Sequence, residues 1–316
     1  MIGNIPKIVV ITGPTATGKT ALSVALAKEF DGEIVSADSM QLYRRMDIGT
    51  AKVTPEETQG VPHHMIDVAE PFEAYSVARY VEEASAAIDG IFSRGRLPIL
   101  VGGTNLYIDS LISGRDFADS EEDNSLRNEI DAEYEALGGE KMLAILREFD
   151  PDRAEKLHPA DRRRIVRAIE IYRLTGKTIT QHDLETQALP PRYDAAVIAL
   201  DFEDRADLYA RIDSRVDAMV GQGLFEEVKA LLDEGIPENS TAMQAIGYKE
   251  PAAFFRGEIT KDEAVELIKR ESRRYAKRQL TWLRRNENIF WIRHKISPDF
   301  SEARRLSTDY LHTLGL

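Results

Sequence analysis

At 316 residues, 43% hydrophobic and 30% charged, the chain can build one large or two modest packed domains, and no stretch approaches the roughly 20 apolar residues that a membrane span requires. The absence of cysteine excludes disulfides and thiolate metal sites and fits a reducing compartment, so a cytoplasmic protein is expected. Taken alone, a net charge of −13 argues against a nucleic-acid partner, because phosphate binding wants clustered Lys and Arg.

Residues 1–13 lack the pattern of a secretory signal. Within them, residues 7–13 (KIVVITG) form a β-branched apolar run that predicts a buried strand. A glycine-containing turn follows, and then a helix over about 19–30. Residues 33–38 (EIVSAD) predict a second strand, 76–94 a helix, and 97–103 (LPILVGG) a third strand. Near residue 113 the pattern changes. Residues 116–135 hold nine acids and one base, Arg127, and helical patterning runs to about 175 with a break at Asp150 and Pro151. After Pro190 and Pro191, residues 195–202 (AAVIALDF) resume the strand pattern. Helices then follow to about 283, and 288–294 predict a last strand. The expected fold is α/β. A P-loop NTPase-like parallel sheet flanked by helices, residues 1–113 and 194–316, is interrupted by a mostly helical insertion over 114–193.

Two segments run against the overall acidity. Residues 269–285 hold eight Lys or Arg and only one acid, Glu271; residues 161–177 hold six bases and two acids. Such segments can hold a polyanion locally or can be solvated helix faces, and charge alone does not decide between them. In the first segment and just before it, Val265, Ile268, Ala276, Leu280 and Leu283 predict a core-facing stripe.

Gly13, Pro14, Thr15, Ala16, Thr17, Gly18, Lys19 and Thr20 fit G-x-x-x-x-G-K-[ST], between a predicted strand and a predicted helix. Amide N–H groups of such a loop point at phosphate oxygens and the helix N-terminus adds partial positive charge. Lys19 supplies a full charge, and the Thr20 hydroxyl can ligate Mg²⁺. The motif specifies a bound phosphate chain, not the reaction. Asp38 lies at the carboxyl end of the next strand, where open parallel sheets bind ligands. It can take a proton or ligate metal, or it can serve as a turn cap. Asp201 ends another apolar strand and offers a second acidic metal partner, which keeps a P-loop small-molecule kinase open. No Asn-Lys-x-Asp guanine reader is present. Gly102 and Gly103 are expected to open space so that the Thr104 hydroxyl can meet a substrate; the plainer alternative makes Thr104 a helix N-cap. Arg211 and Arg215, after the Asp201 strand, are further candidates for binding a diphosphate.

Several segments carry a more specific signal: residues 13–20 (GPTATGKT), 38–43 (DSMQLY), 47–52 (DIGTAK), 63–68 (HHMIDV), 101–107 (VGGTNLY), 158–172 (HPADRRRIVRAIEIY), 244–250 (QAIGYKE) and 276–283 (AKRQLTWL). Together, and in this order, they resemble the bacterial tRNA dimethylallyltransferases along nearly the whole chain. The resemblance implies transfer of a dimethylallyl group from dimethylallyl diphosphate to N6 of adenosine 37 in tRNA, with release of diphosphate. It implies that the P-loop, Lys19, Thr20 and Mg²⁺ hold the leaving diphosphate. Asp38 then receives the proton of the attacking amine or hydrogen-bonds to it, Thr104 contacts the adenosine, and Asp38, Ser39, Met40 and Gln41 hold the base. The insertion grips the anticodon stem-loop, with Arg127, Arg163, Arg164, Ile165, Val166 and Arg167 at tRNA-contacting positions. The family often has Pro-Gln or a similar pair at Arg162 and Arg163, and a smaller or apolar residue at Asn105. A monomer is expected. Besides the kinase, two alternatives stand: a non-catalytic RNA-binding protein, and prenyl transfer to free adenine nucleotides.

Overall fold

A computed structural model describes residues 5–114, 125–295 and 298–316. Part of the acidic stretch, residues 116–124, lies outside them. Contacts divide the chain into two compact units, one formed by the chain up to Ile112 together with Tyr193–Leu316, the other by Ser113–Arg192.

The first unit holds a six-stranded sheet: β1 (Lys7–Thr12), β2 (Gly32–Ser36), β3 (His63–His64), β4 (Leu97–Val101), β5 (Asp194–Phe202) and β6 (Ile289–His294). Their order is β3-β2-β4-β1-β5-β6, and every pairing is parallel. The central strand β1 lies between β4 (Val9 opposite Ile99) and β5 (Val9 opposite Ala196). A strand flanked on both sides and covered on both faces has no polar face, which is why its sequence is a continuous apolar run. The edge strand β3 is not legible in the sequence, because two residues carry no periodicity.

Helices α1 (Lys19–Glu29), α2 (Pro55–Thr58), α3 (Val77–Ser93), α4 (Asn105–Ser113), α10 (Arg205–Gln222), α11 (Leu224–Asp233), α12 (Lys249–Phe255), α13 (Lys261–Leu283) and α14 (Phe300–Thr313) surround the sheet. One core joins α1 and α14 to the sheet through Leu22, Leu26, Ile99, Leu200 and Leu311. A second joins α10 and α13 to it through Phe202, Leu208, Ile212, Ala276 and Leu280. Each of the leucines, isoleucines and Phe202 among them is worth about 1.5–3 kcal/mol when fully buried. The expected stripe on α13 holds except at its start, where Ala264 is buried and Val265 only partly so. Thr260 and Glu263 form a reciprocal capping box that fixes where α13 begins. Among the described residues, no helix is long and apolar enough to cross a membrane.

The second unit is helical: α5 (Ser125–Leu137), α6 (Gly139–Phe149), α7 (Pro151–Glu155), α8 (Arg162–Thr175) and α9 (Ile179–Gln187). Its own core includes Ile130, Met142, Leu146, Ile165, Val166 and Ile169. Asp150 ends α6 and caps α7 through the Arg153 N–H, with Pro151 opening the new helix, so the predicted break becomes a sharp corner.

Candidate active site

The loop between β1 and α1, the candidate phosphate cradle, makes a tight turn. Gly18 caps α1 in the left-handed conformation (φ 90°), and a Cβ there would stand 2.2 Å from the Phe300 ring. Thr17 Oγ1 donates to Pro14 O (2.9 Å) and closes the turn from inside. Lys19 Nζ donates to Gly13 O (3.0 Å) and Pro14 O (2.8 Å). Burial and the neighbouring Arg215 guanidinium push the Lys19 ammonium down to about 7, with Asp38 opposing. Thr20 stands exposed in the first turn of α1, and among the described residues its hydroxyl has no hydrogen-bond partner.

Arg215, on α10, faces Lys19 and Asp38. Burial lowers its pKa, and no described residue pairs with its guanidinium. The Asp38 and Glu57 carboxylates offset part of that burial cost, and a bound anion would offset more. Arg211, one turn earlier, has a different position. Its Nε donates to Ala16 O (3.1 Å) and its guanidinium lies over the Phe202 ring, so it braces the cradle through the backbone.

Asp38 lies two residues beyond β2. Its Oδ1 accepts from the N–H groups of Met40 (2.9 Å) and Gln41 (3.4 Å), which is the expected turn cap. Its Oδ2 has no partner among the described residues. Capping and proton acceptance are therefore compatible, one oxygen for each. Thr104 lies beyond β4, the strand between β2 and β1. Its Oγ1 accepts from the Ser39 N–H (3.0 Å) and donates to Ser39 Oγ (3.3 Å), tying together the two loops that carry Asp38 and Thr104. The hydroxyl is thus held by Ser39.

The expectation that Gly102 and Gly103 open space for a substrate is corrected. A Cβ on Gly102 would stand 2.2 Å from Ala37 O, and one on Gly103 would stand 2.2 Å from Gln279 Nε2. Protein atoms already fill that space, and the glycines permit close packing.

Two side chains of α13 join the site without having been expected there. Tyr275 lies beside Thr104, and burial together with the charge of Asp38 pushes its pKa up to about 12. Gln279 is buried and donates from Nε2 to Gly103 O (2.9 Å). They are four residues apart on one helical face, a spacing that could have found them once Gln279 was set beside the apolar stripe. Tyr107, stacked on Tyr80 with ring centroids 4.0 Å apart, has its pKa raised mainly by burial, with Tyr43 and Asp38 adding to the shift. Asp38 therefore borders an aromatic wall.

Asp201 is buried, with Oδ1 accepting from Phe202 N (2.8 Å) and Arg284 3.8 Å from Oδ2, and burial raises its pKa. Several bases of residues 269–285 are likewise engaged within the unit: Lys269 with Asp217, Arg273 with Asp213 and Arg274 with Glu271. Among the described residues no cluster of three His, Asp or Glu side chains can hold a metal ion unaided.

In the second unit, Ile165 and Val166 are buried in the helical core, which corrects their assignment as RNA contacts. Arg127, the one base of its acidic stretch, donates to both carboxylate oxygens of the buried Glu170 (3.0 and 3.1 Å), and Arg167 joins it there (2.7 Å). Arg162 is held by Asp131 and Glu135. Arg163 and Arg164 are exposed, without an ion pair among the described residues.

The first unit thus places a cationic phosphate cradle beside a carboxylate with a free oxygen. A group can leave a diphosphate at one end while its acceptor loses a proton at the other. The IPP transferase family model matches residues 41–286, and the isopentenyl transferase model matches residues 6–70. The tRNA dimethylallyltransferase of Thermoanaerobacter sp. (strain X514) is 46% identical over 306 residues, covering 96% of this chain and 97% of its own. That of Carboxydothermus hydrogenoformans is 50% identical over 286 residues, covering 90% and 91%. The solved structure of the tRNA isopentenylpyrophosphate transferase from Bacillus halodurans superposes with a TM-score of 0.72 at 43% identity, covering 97% of each chain. A eukaryotic dimethylallyltransferase acting on tRNA gives 0.82 at 30% identity, covering 98% of this chain and 80% of its own. The chain belongs to the IPP transferase family, that of the tRNA dimethylallyltransferases.

Proposed function

We propose that the protein transfers the dimethylallyl group of dimethylallyl diphosphate to N6 of adenosine 37 in tRNA. The observation that carries this reading is that the buried cations Lys19 and Arg215 lie near Asp38, whose Oδ1 caps the turn while its Oδ2 is free among the described residues. As the donor's C1–O bond breaks, its electron pair and negative charge pass to the diphosphate. The cradle amides, Lys19 and Arg215 stabilise that charge where it develops. The N6 lone pair forms the new C–N bond, and the N6 proton passes to Asp38. Thr104, held by Ser39, orients the amine, and Tyr107 and Tyr275 exclude water. Thr20, whose hydroxyl is exposed in the first turn of α1, would hold Mg²⁺. When bound, it supplies further charge neutralisation to the leaving group.

Adenosine in an anticodon loop presents N6 only when it leaves the stack, so the nucleotide enters flipped. Met40 and Gln41 hold the base, and Arg163 and Arg164 contact the anticodon stem-loop phosphates. The protein acts in the cytoplasm as a monomer. No comparison favours a kinase.

Asp38→Asn tests the chemistry. The amide keeps the oxygen that caps the turn but cannot take the proton. The transfer rate should fall about 10²–10⁴-fold with tRNA affinity little changed. An equal loss of tRNA affinity would assign Asp38 a positioning role instead.

A further inference from the structure

Three consecutive backbone amides converge on one carboxylate. Asp47 N and Ile48 N donate to Glu227 Oε2 at 2.9 and 2.8 Å, and Gly49 N donates to Oε1 at 3.1 Å. The hydroxyl of the fully buried Tyr248 donates to the same Oε1 at 2.6 Å. Amides that neither helix nor sheet consumes need another acceptor, and Glu227, on α11, supplies it for three at once. The turn held in this way ends at Thr50 and Ala51, whose carbonyls each accept from Gln41 Nε2 at 3.3 Å. Gln41 Oε1 accepts from Ser36 Oγ at 3.4 Å. Both ends of the Gln41 amide are therefore set, and its donor end is set by a turn that Glu227 holds.

We propose that Glu227 is a positioning residue for the tRNA substrate: it fixes the 47–51 turn, whose carbonyls fix the Gln41 amide that meets the target base. The inference rests on the reading above that Gln41 holds that base. None of these groups belongs to the phosphate cradle, so the two substrates should respond separately.

Steady-state transfer of labelled dimethylallyl to unmodified tRNA is measured for wild type, Gln41→Ala, Glu227→Gln and the double variant. Glu227→Gln keeps the side-chain shape but turns an NH₂ toward the amides. It should raise KM for tRNA by about tenfold, a typical size for coupling through a packed network, with KM for dimethylallyl diphosphate unchanged. Gln41→Ala should add little in the Glu227→Gln background. Tyr248→Phe, which removes one donor to Glu227, should act in the same direction and serves where Glu227→Gln does not fold. Losses that multiply independently, or a parallel rise in KM for dimethylallyl diphosphate, would overturn the proposal. An active wild type and a tRNA-defective Gln41→Ala, with Glu227→Gln and Tyr248→Phe both unaffected, would overturn the role of Glu227 alone. An active wild type with an unaffected Gln41→Ala would remove the base-holding role on which it rests, and a wild type that labels no tRNA would remove the proposed function with it.

Discussion

Lys19 is the residue whose chemistry depends most on its surroundings. Its ammonium is held near a pKa of about 7 in the protein alone, by burial first and Arg215 second. A bound diphosphate favours the charged form and raises that pKa. Below pH 7 the lysine is already protonated, and binding needs no proton. Above it, binding must take one up. Affinity for dimethylallyl diphosphate should therefore be full below pH 7 and weaken as pH rises, by up to about tenfold per unit until the pKa of the complex is reached. Calorimetric titration from pH 6.5 to 9, with Lys19→Met as control, checks this. The variant retains the ligand's own titration, so the difference between the two curves isolates the lysine; parallel curves would show that Lys19 does not titrate in this range. The shift itself was not legible in the sequence, because the motif places a lysine beside phosphate but does not place Arg215 beside that lysine. Tyr275 was hidden for a similar reason. It reaches Thr104 from a helix 171 positions later in the chain.

The elements that carry the chemistry divide into those with a local signal and those without one. The strand, glycine turn and helix of the phosphate cradle are dictated by adjacent residues, as are the apolar strands whose carboxyl ends gather Asp38 and Thr104. Helix α8 shows the opposite case. Its segment reads as a basic run with RNA-facing positions, yet its 3.6-residue period turns Ile165, Val166 and Ile169 into the core of the helical unit. Ile165→Ala should cost about 2–5 kcal/mol in a urea unfolding transition of that unit, as cavity-forming core truncations do. A cost near zero would mean that Ile165 is not part of a packed core. The exposed face of the same helix should behave differently. Arg163→Ala together with Arg164→Ala should weaken tRNA binding and lower the slope of log affinity against log salt by about one to two, with unfolding unaffected. An unchanged slope would remove both arginines from the phosphate contacts.

At the scale of the whole molecule, net charge misdirects and distribution informs. A chain at −13 should repel RNA, yet many of its bases, Arg127, Arg162, Lys269 and Arg273 among them, are spent on internal acids. Arg163 and Arg164 remain without an ion pair among the described residues, and the proposed contact with RNA uses these few placed cations rather than a basic surface. The parallel sheet was legible because buried strands and amphipathic helices alternate along the chain, whereas side-chain pairing across distant segments was not. The central claim, prenyl transfer to one tRNA position, is tested most directly by incubating the protein and Mg²⁺ with radiolabelled dimethylallyl diphosphate and unmodified tRNA bearing adenosine at position 37. Label should enter the tRNA and vanish when that adenosine is replaced by guanosine. Label in free AMP but not in tRNA, or ATP turnover with no label in either, would contradict it.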